Sequence, residues 1–236
     1  MTTLRLGLPS KGRLQDDAMA WFAKVGITIR RTGSGREYSG AVDGIDGISL
    51  VLLSAAEIPR ELAAGRIHLG VTGQDLVHER IPAWEGRLAQ IAEMGFGHAD
   101  LIVAVPDCWR DCETMDDLDA VAHQFRARHG HRLRVATKYH NLVRGFFRAW
   151  GVADWRIVDS QGATEGTIRN GTAEVIADIT SSGETLRANH LRILTDGLIL
   201  RSQATLFASR GAEWSDPAAG ALRALCDRLG IDPPDI

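Results

Sequence analysis

The sequence is poor in cysteine and has no long apolar run, and both shortages bear on where the protein works. Three cysteines (Cys108, Cys112 and Cys226) in 236 residues do not indicate a disulfide framework, so we predict free thiols in a reducing compartment. No apolar run is long enough to span a bilayer, and the opening MTTLRLGLPSKGR lacks the apolar core of a signal peptide. We therefore expect a cytoplasmic protein with no membrane partner.

An excess of basic charge is also lacking. The formal net charge is −3, and charged residues make up 24% of the chain, which describes an ordinary soluble protein. This balance argues against a nucleic-acid partner bound through a broad basic surface. It leaves room for a locally basic pocket that binds an anionic small molecule.

The familiar signatures of metal or acid–base catalysis are missing. The eight histidines do not cluster at the spacing of metal ligands, so we predict no protein-held metal. There is no GxSxG elbow and no convincing Cys/His pair, and we interpret His140 and His190 as structural. These absences favour chemistry that depends on positioning and electrostatics.

The sequence does contain a regular alternation of strand-like and helix-like segments. Seven apolar runs predict strands: LRLGL from Leu4, ISLVLL from Ile48, IHLGVT from Ile67, ADLIVAV from Ala99, RLRVAT from Arg132, WRIVD from Trp155 and AEVIADI from Ala173. Helical patterns lie between most of them. This alternation predicts an α/β protein of one large or two small domains, with parallel sheets whose faces are covered by helices.

Three of the helical patterns carry start or stop signals. Their predicted bounds are 16–26, 54–65 and 114–130. The second has the signature of a capping box, with Ser54 followed three residues later by Glu57. Pro59 falls inside that segment, where it kinks the helix or shifts its start.

The stretch ADITSSGETLRANH, residues 177–190, is the most informative part of the chain. A buried strand over 174–177 is predicted to end just before Asp178, which is followed by hydroxyl residues, Gly183 and a short helix over 184–189. This order forms a cradle for an anion, because free backbone N–H groups and the positive end of the helix meet there. The alternative is a polar turn between strand and helix, with Asp178 capping the loop.

Two carboxylates and three cations are candidates for binding the rest of an anionic substrate. Asp178 can accept hydrogen bonds from both hydroxyls of a vicinal diol such as a ribose, and Glu165 offers a second carboxylate. Lys11 and Arg13 follow the first strand in PSKGR and are placed to hold phosphates, as is Arg36 in SGREYSG. A solvated surface loop is the alternative interpretation of all three cations.

Four stretches together resemble the ATP phosphoribosyltransferase family, which opens histidine biosynthesis. They are LGLPSKGRL, GRIHLGVTGQDLV, GATEGTIRNGTAEVIADITSSGETLRAN and ILRSQATLFASR, in family order over nearly the whole chain. The stretch around Asp178 is the most specific, because it resembles the family's phosphoribosyl-pyrophosphate loop. The length resembles the short form of the family, which lacks a C-terminal regulatory domain.

The resemblance implies a fold of two α/β lobes like type II periplasmic binding proteins, with mixed, mostly parallel sheets, flanking helices and the site in the cleft. We accordingly expect lobe I to comprise residues 1–97 and 204–236. Lobe II is expected over 98–203 and would carry the phosphoribosyl-pyrophosphate loop. The hinge is expected around 94–100 and at the return crossing near 201–205.

The resemblance also implies a reaction and a set of site residues. The 5-phosphoribosyl group of phosphoribosyl pyrophosphate would pass to N1 of ATP, with release of pyrophosphate and with Mg²⁺ carried by the substrate. Asp178, with Glu165, would bind the ribose hydroxyls, while Lys11, Arg13 and Arg36 would lie near the pyrophosphate or ATP phosphates. The 5-phosphate would be held by the hydroxyl loop, Thr180, Ser181, Ser182, Gly183, Glu184 and Thr185.

The sequence departs from the family pattern at several of these places. Ser54 stands where many members have an arginine, so the contact to the leaving group is expected from another residue. Ser182 stands where threonine is usual and keeps the hydroxyl, His190 stands where glycine is common, and the GATEG segment around Glu165 differs from the more common apolar version.

The resemblance to the short form implies a partner. After the strand QATLFAS only one helical segment remains, which is too little for a further domain with its own core. We expect a homodimer within a hetero-oligomer that contains a regulatory subunit similar to histidyl-tRNA synthetase. Two other functions stay open: a non-catalytic two-lobed module that binds or senses a small anion, and a phosphoribosyltransferase of the purine-salvage kind.

Overall fold

The computed structural model describes residues 3–31 and 39–236, and the chain forms two compact units. The first unit contains Met1–Gly97 and Gln203–Ile236, and the second contains His98–Ser202. The chain therefore leaves the first unit once and returns to it once. None of the helices within the described residues is both long and apolar enough to cross a membrane.

A seven-stranded sheet forms the middle of the first unit. Its strands, in the order in which they lie side by side, are β2 (Thr28–Arg31), β3 (Ser39–Asp43), β4 (Ile48–Leu53), β1 (Leu4–Pro9), β5 (Leu69–Gly73), β12 (Ala204–Ser209) and β6 (Leu88–Glu93). Strand β1 lies parallel to both of its neighbours, with Leu6 opposite Leu50 on one side and Leu69 on the other. The alternating leucines of LRLGLP form this strand because they are buried against the core.

Helices cover this sheet and supply the rest of the core. They are α1 (Arg13–Lys24), α2 (Ile58–Ala63), α3 (Gln74–Arg80) and α8 (Asp216–Leu229), with a 3₁₀ turn at Trp84–Gly86. Helix α8 buries Leu222, Leu225 and Cys226 in the same cluster as Leu4 and Phe22. Each fully buried large apolar side chain contributes about 1.5–3 kcal/mol, so this cluster is the main source of stability in the unit.

Helix α2 begins later than the sequence predicts. Ser54 and Glu57 do interact, since the Ser54 N–H and hydroxyl donate to Glu57 Oε2 at 3.0 and 2.7 Å. The helix nevertheless starts at Ile58, with Pro59 in its first turn. Proline lacks an N–H and has a fixed φ, and both properties suit the first turn, so Pro59 sets the start. The start at Ser54 is wrong by four residues, and the alternative that Pro59 shifts the start is confirmed. The predicted end at Gly65 is confirmed by its φ of +67°.

A five-stranded sheet forms the middle of the second unit. Its strands, in spatial order, are β11 (Leu191–Ser202), β7 (Ala99–Pro106), β10 (Val175–Thr180), β8 (Leu133–Thr137) and β9 (Trp155–Asp159). Its helices are α4 (Met115–His129), α5 (His140–Ala149), α6 (Gly166–Arg169) and α7 (Glu184–Ala188). The central strand β10 pairs antiparallel with β7 and parallel with β8.

The start and end predicted for the helix over 114–130 are confirmed. Thr114 Oγ1 accepts from the Asp117 N–H at 3.2 Å, and Asp117 Oδ2 accepts from the Thr114 N–H at 2.9 Å. This is a capping box, and the hydrogen bonds from Thr114 lower the pKa of Asp117. Gly130 follows the last turn as the C-terminal cap.

The α/β class with mixed sheets is confirmed, but the expectation that the strands are mostly parallel needs correction. Four of the ten strand pairings are parallel and six are antiparallel in the described residues. The connection over 44–47 is too short for a parallel crossover, so β3 and β4 must be antiparallel. Strand β11 has no counterpart in the sequence prediction, because register shifts break its alternation between Ile193 and Leu200.

All three cysteines are free, as predicted from their number. Cys108 is exposed, whereas Cys112 and Cys226 are buried. Burial raises the pKa of the Cys112 thiol to about 11 and also raises the pKa of Cys226. Cys108 is therefore the thiol accessible to solvent-borne reagents.

An ion pair at the end of α2 makes stability depend on pH. Arg66 donates to both oxygens of Glu61, at 2.5 and 2.8 Å, and this lowers the pKa of Glu61 from 4.5 to about 2. A lowered pKa stabilises the folded state above the unfolded-state value of 4.5, and the contribution is lost as the pH falls toward 2. Because Arg66 is about half exposed, solvent screening limits the effect.

We predict that Arg66→Met lowers the free energy of unfolding at pH 7, and lowers it by less at pH 3. Urea denaturation at the two pH values measures the difference. Arg80→Met is the matched control, since Arg80 is exposed and has no ion pair in the described part of the chain. A loss for Arg66→Met that is the same at both pH values would contradict the assignment.

Candidate functional site

Asp178 lies inside strand β10 rather than after it. The antiparallel pairing with β7 continues past the predicted end of the strand, with Asp178 opposite Ile102 and Thr180 opposite Asp100. The predicted end at residue 177 is therefore wrong, because the ladder to β7 extends the strand by three residues, whereas the apolar run AEVIADI, which reaches Ile179, comes within one residue of the observed end. Alternation along the strand leaves Ile179 exposed between Asp178 and Thr180, which lie on the opposite face.

The carboxylate of Asp178 is held through one of its two oxygens. Oδ1 accepts a hydrogen bond from the N–H of Ile179 at 2.8 Å, and Lys138 Nζ lies 3.6 Å from the same oxygen. The side chain of Asp178 is 18% exposed, so the contacts are shielded but the group is reachable. Among the described residues Oδ2 has no partner, which leaves it able to accept hydrogen bonds from a ligand.

The hydroxyl loop after β10 is folded by its own polar groups. The N–H of Gly183 donates to Thr180 Oγ1 at 3.0 Å, and the N–H of Glu184 donates to Ser182 Oγ at 3.3 Å. Arg187 reaches back from α7 to donate to the carbonyl of Ser182 at 3.1 Å. These contacts fix the loop without using up all of its donors.

Three backbone N–H groups of this loop are available to an anion. In the part of the chain that the structure describes, the N–H groups of Ser181, Ser182 and Thr185 have no acceptor. Helix α7 has only five residues, so its dipole is small, and the capacity to bind an anion lies in the loop donors and hydroxyls. The predicted cradle is thus a loop feature more than a helix-terminus feature.

The structure brings seven of the predicted binding residues around one pocket of about 200 Å³ in the second unit. They are Glu165, Asp178, Thr180, Ser181, Ser182, Glu184 and Thr185. Leu186, Ile176 and Ile179 complete the lining. Gly183, the eighth predicted residue of this set, is buried and does not line the pocket.

Glu165 reaches the pocket from the turn before α6. It is the N-cap residue of α6, and the preceding Thr164 is 1% exposed and shares a hydrogen bond of 3.2 Å with Ser160. This buried hydroxyl pair anchors the turn. The pocket therefore presents carboxylates at Glu165 and Asp178 and donors along the hydroxyl loop, a combination suited to a phosphorylated diol.

The predicted cations are placed differently. Lys11 and Arg13 belong to the first unit, where Arg13 is the first residue of α1 and both side chains are exposed. Within residues 3–31 and 39–236 neither forms an ion pair, so both keep their charge for another partner. Arg36 lies outside the described residues.

Lys138 was missed by the sequence prediction. It follows the last residue of β8, and β8 is the parallel neighbour of β10, so the carboxyl ends of the two strands meet at one sheet edge. Nothing in the sequence pairs Lys138 with Asp178. In the same loop His140 Nε2 lies 2.9 Å from Asp159 Oδ1, close enough for an ion pair when the imidazole is protonated but without the alignment of a hydrogen bond.

The pocket offers too few ligands to hold a metal ion without a substrate. The described residues contain no group of three His, Cys, Asp or Glu side chains placed to hold a metal ion. Mg²⁺ is commonly bound by substrate phosphates with only one or two protein carboxylates. The two carboxylates at Glu165 and Asp178 fit a metal that arrives with a phosphorylated substrate.

Comparisons with known proteins converge on one family. The chain matches the family model for ATP phosphoribosyltransferase over residues 54–230. A curated relative from Cereibacter sphaeroides, named ATP phosphoribosyltransferase, is 66% identical over 233 residues, which cover 99% of this chain and 98% of the relative.

Two solved structures show the fold. The ATP phosphoribosyl transferase (HisG:HisZ) complex from Thermotoga maritima contains a chain that superposes with a TM-score of 0.72, at 22% identity and 96% coverage of both chains. A histidine kinase sensor domain with similarity to periplasmic binding proteins gives a TM-score of 0.50 at 11% identity, covering 97% of this chain and 91% of that one. The expected similarity to periplasmic binding proteins is confirmed.

Two residues with left-handed backbone geometry flank α7. Substitutions at these two positions are expected to change the free energy of unfolding in opposite directions. Gly183 has a φ of +69°, and a Cβ there would lie 3.0 Å from Arg187 Nη1. His190 has a φ of +57°, just beyond the C-terminal cap Asn189. A side chain in this region costs about 1–2 kcal/mol, and glycine avoids that cost.

We predict that Gly183→Ala lowers the free energy of unfolding by about 1 kcal/mol, and that His190→Gly raises it by about 0.5 kcal/mol, since the greater freedom of glycine in the unfolded chain offsets part of the gain. Urea denaturation at pH 7 measures both. Gly162→Ala is the matched control, because a Cβ there meets only open space. If both substitutions shift stability in the same direction, the geometry around α7 is not as described.

Proposed function

The chain belongs to the ATP phosphoribosyltransferase family, and from this membership we propose how the pocket of the second unit takes part in the reaction. The protein transfers the 5-phosphoribosyl group of phosphoribosyl pyrophosphate to N1 of ATP and releases pyrophosphate, the first step of histidine biosynthesis. The observation that carries the proposal is the convergence of Asp178, Glu165 and the hydroxyl loop on one pocket.

We propose that this pocket binds the phosphoribosyl part of the donor. Oδ2 of Asp178 accepts hydrogen bonds from the ribose hydroxyls, and Glu165 offers a second carboxylate to the same diol. The free N–H groups of Ser181, Ser182 and Thr185, with the loop hydroxyls, bind the 5-phosphate. A pocket of about 200 Å³ is of a size suited to a phosphorylated pentose.

The proposed chemistry requires no general base. Adenine N1 is unprotonated near neutral pH and can attack the anomeric carbon directly. Positive charge then develops on the sugar while negative charge builds on the departing pyrophosphate. Carboxylates beside the ribose stabilise the first charge, and cations stabilise the second.

Cations for the leaving group come from outside the pocket. We propose that Lys11 and Arg13, which have no ion pair among the described residues, bind the pyrophosphate or the ATP phosphates. Arg36 is proposed for the same charge. Ser54, which stands where many family members have arginine, is occupied as a hydrogen-bond donor to Glu57 and supplies no charge. When bound to the donor, Mg²⁺ neutralises part of the pyrophosphate charge.

The simplest test of the function is an assay of the purified protein with ATP, phosphoribosyl pyrophosphate and Mg²⁺. Formation of the adduct changes the ultraviolet absorbance of the adenine. Absence of this change, with both substrates recovered intact, would overturn the proposal. Replacing ATP by a free purine base separates this reaction from a purine-salvage transfer.

For the proposed role of Asp178, the test is Asp178→Asn, which keeps the shape of the side chain but removes its charge. We expect the specificity constant for phosphoribosyl pyrophosphate to fall by a factor equivalent to about 1–3 kcal/mol, with a smaller effect on the KM for ATP. Steady-state kinetics with each substrate varied in turn measures the split. Asp116→Asn, at an exposed position of the same unit, is the control. Unchanged constants for both substrates would remove Asp178 from the site.

We further propose that the protein works as a homodimer within a hetero-oligomer that contains a regulatory subunit similar to histidyl-tRNA synthetase. The HisG:HisZ complex of the Thermotoga maritima protein supports an assembly of two kinds of subunit. Inhibition by histidine requires a second site with its own contacts in each state of the enzyme. We place that site on the regulatory subunit.

Accordingly, histidine is expected to inhibit this chain weakly or not at all when the chain is assayed alone. Adding the co-purified partner restores the inhibition. The measurement is an activity titration with histidine in both conditions, with light scattering to follow the assembly. Strong non-competitive inhibition of the isolated chain would place the effector site within these residues and overturn the two-subunit proposal.

A further inference from the structure

We propose that Lys138 is a positioning residue for the phosphoribosyl donor, which acts by orienting the carboxylate of Asp178 and by lowering the net negative charge at the pocket. The inference rests on the proposed function of the pocket. It concerns a residue that neither the sequence motifs nor the pocket lining points to. It follows from the contacts of the pair and from the charges around the pocket.

The backbone places Lys138 beside Asp178. Strands β8 and β10 are parallel, with Val135 opposite Val175 and Ala136 opposite Ile176. Two further steps along each strand bring Lys138 level with Asp178 at the same sheet edge. The juxtaposition is thus set by strand register, which a surface side chain cannot adjust.

The turn that follows β8 limits where the side chain of Lys138 can go. The hydroxyl of Thr137 accepts from the N–H of Tyr139 at 2.9 Å, and both residues are almost fully buried. Nζ of Lys138 lies 5.2 Å from the centroid of the Tyr139 ring and 3.6 Å from Asp178 Oδ1. The ammonium group is held between a fixed aromatic face and a fixed carboxylate.

The negative side chains around the pocket explain why a cation beside Asp178 favours binding of the donor. The pocket is lined by three carboxylates, Glu165, Asp178 and Glu184, and by no cation. A donor with a 5-phosphate and a pyrophosphate is strongly anionic, so these carboxylates repel it. Arg187 is a nearby cation, which donates to the carbonyl of Ser182 in the hydroxyl loop rather than to a carboxylate. Lys138 lies beside Asp178 itself, so it reduces the net negative charge at the pocket while Asp178 stays an ionised acceptor for the ribose.

The contact at Oδ1 also orients the carboxylate. With the Ile179 N–H and Lys138 both at Oδ1, rotation of the carboxylate is restrained and Oδ2 is the oxygen left for the ribose. Both effects act through Asp178. A substitution at Lys138 should therefore matter little once Asp178 has lost its charge.

The test uses Lys138→Met, which removes the charge and keeps most of the apolar stem. We expect the Kd and KM for phosphoribosyl pyrophosphate to rise about tenfold, as for loss of one charge-assisted contact, while kcat and the KM for ATP change less than about threefold. Lys138→Arg restores most of the affinity. Lys24→Met is the matched control: the chain has only three lysines, and Lys24 is exposed at the end of α1 in the first unit. Calorimetry measures Kd, steady-state kinetics measures KM and kcat, and a thermal melt verifies that each variant folds.

A double-mutant cycle distinguishes an effect of Lys138 that passes through Asp178 from a direct contact between Lys138 and the donor. In the Asp178→Asn background, Lys138→Met should change the Kd for phosphoribosyl pyrophosphate less than about twofold. Independent, multiplying effects would overturn the proposal, as would a wild-type Kd in Lys138→Met alone. Should Lys138→Met fail to fold, Lys138→Gln takes its place in the cycle. If the wild-type protein forms no adduct with ATP, the proposed function fails; if it does form adduct and Lys138→Met binds the donor normally, only this inference fails.

Discussion

The candidate site depends on one constraint, the pairing of β10 with a different kind of neighbour on each side. The antiparallel ladder to β7 carries β10 on to Thr180, and the parallel ladder to β8 brings the end of a second strand to the same edge. Asp178 is therefore fixed from both sides, and the hydroxyl loop starts from a point that cannot slide. A shift of one residue in either register would turn Asp178 to the opposite face of the sheet.

The proposed ligand of the second unit and the side chains that line its pocket carry charge of the same sign. A pocket proposed for a polyanion is lined by carboxylates, and its donors to phosphate are neutral backbone N–H groups and hydroxyls. Fixed dipoles of this kind bind phosphate without a full charge in the pocket, which leaves the carboxylates free to stabilise positive charge on the sugar. Positive charge for the leaving group is proposed to come from Lys11 and Arg13, and Lys138 is proposed to act beside the ribose.

The fold alone does not explain the activity. A histidine kinase sensor domain with similarity to periplasmic binding proteins shares the architecture at 11% identity. The segment proposed to carry the activity is short: the loop after β10, with its hydroxyls and free N–H groups. Function here is a property of a few residues held by a common scaffold.

The sequence by itself determined the elements whose signals are local. The apolar runs gave β1, β4, β7, β8 and β9 nearly to the residue, and the capping residues of α4 and the glycine after α2 marked helix ends, because periodicity and caps act over a few neighbouring positions. The strand, hydroxyl loop and short helix of residues 177–190 led to Asp178 and the loop as candidates, with Glu165 as a second carboxylate, and the family resemblance gave them roles. Only the tertiary structure decided that β10 extends to Thr180, that β11 exists, that antiparallel pairings outnumber parallel ones, and that Lys138 meets Asp178. Each of these depends on which strands lie side by side and in what register, and residues about forty positions apart in the chain carry no local sign of that pairing.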